Sequence, residues 1–272
     1  MQGRLSLPTN DRVQSFPVDS WKQEFEIASK NGFEIIEWIF DEIQPNPLLT
    51  NDGILEIKQL SQKNNVSINA ICADYFMTNK LFNEPQLELE KNIETIKKLI
   101  IQANKLEIPI IEIPLVDSSS LKTSKNKKEI INNFKKILPF AEENNVIIVF
   151  ETDLNTFDFN YFLTEFNHSN IMANYDSGNS ASLGYNCEEE ITELKKWIKN
   201  VHVKDRKFQG TTVPFGMGNT NFDLFFSSLS KINYSGDLII QGARFKNEDI
   251  TPEITCKIYR EFIKQNVDKY YI

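Results

Sequence analysis

Short apolar runs rich in β-branched residues alternate with longer amphipathic runs along the whole chain. The pattern predicts strands over "GFEIIEWIF" (32–40), "VSINAICADYF" (66–76), "IPIIEIPLV" (108–116), "VIIVFET" (146–152), "NIMANYDSG" (170–178), "NVHVKD" (200–205) and "GDLIIQGA" (236–243). Between them it predicts helices over 51–65, 84–106, 125–145, 157–167, 187–198 and 221–232, with a last helix over 251–266. Pro85 falls near the first turn of one helix, and Pro139 predicts a kink or break in another. The opening "MQGRLS" reads as one more strand, followed by a helix over 19–32.

Strands that alternate with helices imply a parallel sheet. Eight strand–helix units in 272 residues match the size of a (β/α)8 TIM barrel, an α/β fold. A doubly wound open sheet fits less well, because no glycine-rich phosphate turn follows the first strand. No linker or composition break divides the chain, so one barrel domain over 1–272 is expected, with its longest insertions after the first, fourth and seventh strands.

In a barrel of this kind the C-terminal strand ends face the active site. The fifth to eighth predicted strands there deliver Glu151, Asp176, His202 and Gln241, in that order. Two carboxylates, an imidazole and an amide oxygen converging at one mouth suit Mn²⁺ or Mg²⁺, with Co²⁺ or Zn²⁺ as further options. His202 stands in "NVHVKDR", one of only two histidines in the chain; the other, His168 in "FNHSN", falls at the opposite rim as a surface loop residue. Arg4, Glu37, Asp74, Glu112, Asn179, Lys204, Asp205, Arg206 and Arg244 also fall at strand ends or just beyond. Among these the cations Arg4, Lys204, Arg206 and Arg244 are candidate anion contacts. Arg4 and Arg244 become neighbours if the first and eighth strands pair.

Composition narrows the functional classes. Net charge is −8 with a pI near 5.0, so nothing pulls the chain globally toward nucleic acid or an anionic membrane. No run reaches the ~18 apolar residues of a membrane helix. Three scattered cysteines without a CxxC argue against a disulfide framework and for a reducing, cytoplasmic setting.

These motifs in this order resemble the sugar-phosphate isomerase/epimerase family of the xylose isomerase-like barrels. "GFEIIEW", "VFET", "YDSGN", "NVHVKDR" and "VPFGMGNTNF" carry the resemblance, the last as a G-x-G-x-x-x-F loop. It implies a divalent metal held by Glu151, Asp176 and His202, a small carbohydrate substrate and, as for many such barrels, a homodimer. The family's fourth ligand is a second glutamate, which also moves protons; here that place holds Gln241. A glutamine offers an oxygen to a metal but accepts no proton at useful pH. The implied chemistry is isomerisation or epimerisation next to a carbonyl through an enediolate, with Glu151 as base. Lys204, Asp205 or Asp74 would be the second proton-transfer group, and Arg4, Asp74, Asp205, Arg206 and Arg244 would contact substrate. A keto-sugar or keto-inositol dehydratase and a non-catalytic sugar-binding barrel are the alternatives. A multi-zinc nuclease is disfavoured by the scarcity of histidine.

Overall fold

The structure is a computed structural model that describes every residue except 3, 8–13, 248 and 272. Parallel strands β1 (Ile35–Ile39), β2 (Ser67–Cys72), β3 (Ile110–Leu115), β4 (Ile147–Thr152), β5 (Ile171–Asp176) and β6 (Ile198–Val203) pair in chain order. A short antiparallel ribbon, β7 (Asp205–Arg206) with β8 (Thr212–Val213), follows, and β9 (Leu238–Ile240) then pairs with β6. The seven parallel strands form a nearly closed barrel wrapped by helices, which is the expected fold class.

The opening segment forms no regular strand among its described residues; Gly3 lies outside them. Gln2 makes an isolated parallel bridge to Glu37 of β1, and its backbone N–H donates to Ile240 O of β9 at 3.1 Å. This short segment therefore touches both edge strands and closes the gap between them.

The elements form where local chemistry supports them. Thr50, Thr123, Asn155, Asn186, Asn221 and Thr251 each cap a helix by accepting a backbone N–H. The predicted helix over 125–145 is two helices, Ser124–Phe134 and Leu138–Glu143, with Pro139 in the first turn of the second. The strand expected over 66–76 stops at Cys72, because Tyr75–Thr78 turns into a short helix whose Tyr75 and Phe76 rings pack edge to face. Strand β9 is also shorter than expected, so Gln241 stands just past its end. The helix Ser177–Leu183 was not expected: its run of small polar residues has no apolar period, and Asp176 caps it.

Apolar side chains fill the layer between strands and helices. Ile93, Ile96, Leu99 and Ile100 of the helix Gln86–Lys105 share one buried cluster with Ile111 and Ile113 of β3. Each such side chain contributes about 1.5–3 kcal/mol by burial. Trp38 belongs to this cluster, tilted against Phe16 and edge-on to Trp21, so it is a packing residue. With the apolar faces turned outward, the polar strand-end residues are left to the barrel interior.

Candidate metal and active site

Strands β4, β5 and β6 bring Glu151, Asp176 and His202 together. One ligand atom of each lies within 4.8 Å of the others, and all three are buried. Register accounts for part of this: Asp176 pairs directly with His202 across β5 and β6. His202 Nδ1 lies 3.1 Å from Glu151 Oε2 and 3.8 Å from Asp176 Oδ2. Its Nε2 faces the other way, 3.0 Å from Glu37 Oε2. Glu37 thus holds the Nε2 side and leaves Nδ1 for the carboxylates, the arrangement that orients a ligating imidazole.

Neighbouring amides fix the carboxylates. Asn174 Nδ2 donates to Glu151 Oε2 at 2.7 Å, and Asn179 Nδ2 donates to Glu151 Oε1 at 2.6 Å. Asp176 Oδ1 accepts the Asn179 N–H at 2.8 Å as a helix cap, and Oδ2 accepts from Lys204 Nζ at 3.1 Å. Asn200 Nδ2 donates to Glu37 Oε1 at 3.0 Å.

Burial by itself would lower the His202 imidazole, but Glu37 and Glu151 outweigh it and raise it well above its ordinary value. The metal-free chain therefore holds an imidazolium between two carboxylates. Burial pushes Glu151 up, yet hydrogen bonding and charge from His202, with Lys204, leave it below the usual carboxylate range. Glu112, buried on β3, is raised well above that range by burial and by Glu151. Burial lowers Lys204, but Asp176 and Glu151 more than restore it, so its ammonium stays charged.

The donor set fits a divalent ion. Glu151, Asp176 and His202 supply two anionic oxygens and one nitrogen. Gln241 Oε1 is a buried oxygen without a hydrogen-bond partner, as an amide ligand requires. Its Nε2 donates to Gln2 Oε1 at 2.7 Å.

The other expected site residues divide. Lys204 stands over Asp176 with its side chain 14% exposed. Asp74 accepts from Gln14 Nε2 at 2.6 Å, and burial lifts it to about 6. Arg4 lies on the closing segment, and Arg244 NH2 donates to Ser6 O at 3.2 Å. Asp205 has a different task from the substrate contact expected of it. It is fully buried and accepts from the N–H groups of Gly216, Gly218 and Thr220 at 2.8, 2.9 and 3.1 Å, anchoring the G-x-G loop. Arg206 is likewise occupied, donating to Asn179 Oδ1 at 2.7 Å and to Gly210 O. Asn174, Asn200 and Gln2 escaped the sequence reading. Their signal was present, since two of them lie two residues before Asp176 and His202 and so share the inward face.

A family model described as a xylose isomerase-like TIM barrel matches residues 25–253. The chain belongs to the xylose isomerase-like TIM barrel family. A Haemophilus influenzae relative with the provisional name L-ribulose-5-phosphate 3-epimerase is 26% identical over 271 residues, 92% of each chain. A solved L-ribulose 3-epimerase superposes with a TM-score of 0.76 at 15% identity, covering 100% of this chain and 94% of its own. A D-allulose 3-epimerase from Methylomonas sp. gives 0.74 at 15% identity, covering 97% and 96%. At that identity the two solved structures show the shared barrel fold. No helix of the described residues is long and apolar enough to cross a membrane.

Proposed function

We propose that this barrel is a divalent-metal-dependent isomerase or epimerase that moves a proton at the carbon next to a carbonyl of a sugar or sugar derivative. One observation carries the reading. Glu151, held ionised by its surroundings and aimed by Asn174 and Asn179, forms one corner of the buried cluster with Asp176 and His202. The H. influenzae relative, provisionally named a sugar-phosphate 3-epimerase and matched over 92% of this chain, supports the reading.

Glu151, Asp176 and His202 would hold the ion, with Gln241 Oε1 as the fourth donor. Mn²⁺ or Mg²⁺ suits this set, and once bound it would polarise a carbonyl oxygen and offset negative charge there. Glu37 keeps His202 oriented for that task. Glu151 takes the proton from carbon and yields an enediolate. Lys204, kept charged by Asp176, donates hydrogen bonds to substrate oxygen at the mouth. If Glu151 delivers the proton on the same face to the adjacent carbon, the former carbonyl carbon, while the hydroxyl proton passes to the former carbonyl oxygen, the outcome is aldose–ketose isomerisation. Inversion at the carbon calls for a second group; Asp74, near 6, and Lys204 are the candidates. Gln241 cannot do this, because its amide accepts no proton.

The test is solvent deuterium uptake at carbon, followed by NMR on a panel of ketoses and ketose phosphates with Mn²⁺. Uptake is expected, and Glu151→Gln should abolish it while substrate binding remains. Deuterium exchange by the Glu151→Gln variant would refute the role of base, and loss of water in place of exchange would make the protein a dehydratase.

A further inference from the structure

The segment that closes the barrel carries a cation that the proposed reaction leaves unexplained. Arg4 is 1% exposed. Its Nε donates to Gly242 O at 2.8 Å, and its NH1 donates to Gln2 O at 3.1 Å and Gln2 Oε1 at 3.3 Å. Its NH2 has no partner, and among the described residues no carboxylate lies within ion-pair distance. Although burial and then the nearby Arg244 charge pull it down to about 10, the group stays charged at neutral pH. A buried guanidinium without a counter-ion is costly, and so is each buried polar atom left unpaired.

Two more unpaired atoms stand on the same hydrogen-bonded chain. Gln2 Oε1 accepts from both Arg4 and Gln241, which leaves Gln2 Nε2 and Gln241 Oε1 without partners. Both side chains are buried, at 0% and 3% exposure. The chain adjoins the metal-ligand cluster, because Gln2 bridges to Glu37 and Glu37 contacts His202. Gln241 is neutral, so it supplies no counter-charge to Arg4. Asp74 acts on Arg4 only through space, without an ion pair, and Lys204 is paired with Asp176, so no carboxylate is seated on the Arg4 guanidinium.

We propose that Arg4 and Gln2, beside Gln241, form a seat for a carboxylate carried by the substrate, so that the protein acts on a sugar acid. The inference rests on the proposed function above for its sugar, but the seat itself rests on the unpaired atoms. The unmet donors are one guanidinium NH2 and one amide NH2, two groups for the two oxygens of a planar carboxylate. A phosphate would bring three oxygens to the same two donors. Gln241 Oε1, an acceptor, would be left for a bound ion.

Calorimetric titration of the Mn²⁺-loaded and metal-free protein with D-fructose, D-fructuronate and D-fructose 6-phosphate tests this. D-Fructuronate is expected to bind about tenfold or more tightly than D-fructose and more tightly than the phosphate, as charge-assisted hydrogen bonds imply. Arg4→Met should erase the preference. Because that change opens a buried site, Gln241→Glu is the companion variant: it places the chain's own carboxylate against Gln2, which Arg4 also contacts, and should erase the preference while strengthening Mn²⁺ binding. Equal binding of acid and neutral sugar, no binding of the acid, tighter phosphate binding, or a preference that survives both variants would overturn the proposal. Deuterium exchange into neutral ketoses without acid preference would sink this inference alone. Acid preference without exchange would sink the proposed function alone.

Discussion

Metal uptake by this site should release close to one proton per ion at pH 7.5. Without metal, His202 sits between Glu37 and Glu151, at 3.0 and 3.1 Å, which raise it well above its ordinary value against the pull of burial. An ordinary imidazole, near 6.5, would be only about 10% protonated at pH 7.5 and would release about 0.1 proton. Here the site begins as imidazolium, and Nδ1 must give up its proton to become a ligand. Calorimetric Mn²⁺ titrations in buffers of different ionisation enthalpy measure that number. Glu112, raised well above its ordinary value by burial and by Glu151, is a further buried carboxyl that responds to the cluster, so Glu112→Gln separates its share from that of His202. Glu37→Gln, which removes the largest opposing charge, should lower both the proton release and, by about 10–100-fold, the affinity for Mn²⁺. Release below about 0.2 proton in the wild type would refute the reasoning, since it would mean a neutral His202.

Other outcomes test the frame around the site. Burial raises Glu190 from 4.5 to about 7 while Tyr175 and Ser180 donate to it, so its stability contribution is lost as pH rises across that interval. Glu190→Gln should therefore stabilise the protein at pH 8 by about 1–3 kcal/mol and do little at pH 4 in thermal melts; a loss at pH 8 would contradict this. A Cβ at Gly218 would stand 2.2 Å from Asp205 Oδ1 and 2.6 Å from Arg206 O, so Gly218→Ala should destabilise the loop by about 1–3 kcal/mol, and an unchanged melting temperature would show that the loop is not held as described. In the metal-free protein, stability from the raised His202 is full below about 6.5 and is lost as pH rises through its folded value. The lowered Glu151 contributes above 4.5 and loses its share as pH falls through its folded value. Saturating Mn²⁺ should remove the alkaline decline attributable to His202, which paired melts with and without metal would detect.

The strand–helix alternation was legible because each buried strand is a dense β-branched run and each helix shows a 3.6-residue period. The opening segment reads as a strand, but among its described residues Gln2 makes an isolated bridge to Glu37 and a bond to Ile240 O in place of a ladder, a difference that no periodicity marks. Helix Ser177–Leu183 has no apolar stripe, so only its Asp176 cap and the Gly184 stop, at φ +75°, mark it. Glu151, Asp176 and His202 were readable from position alone, because strand ends in a barrel share one mouth. The work of Asp205 and Arg206 was not: both charges follow His202 in sequence, but one turns under the G-x-G loop and the other toward Asn179. Sequence proximity identified the neighbourhood, while backbone amides and loop geometry decided which charges remain for a ligand.

Elemental mass spectrometry of gently purified protein, with His202→Ala alongside, tests the metal-dependent reading most directly. About one divalent ion per chain is expected in the wild type, and its loss in the variant. A protein that contains no divalent ion and takes up none of Mn²⁺, Mg²⁺, Co²⁺ or Zn²⁺ on titration would contradict that reading, and His202 would then be a core residue held between Glu37 and Glu151.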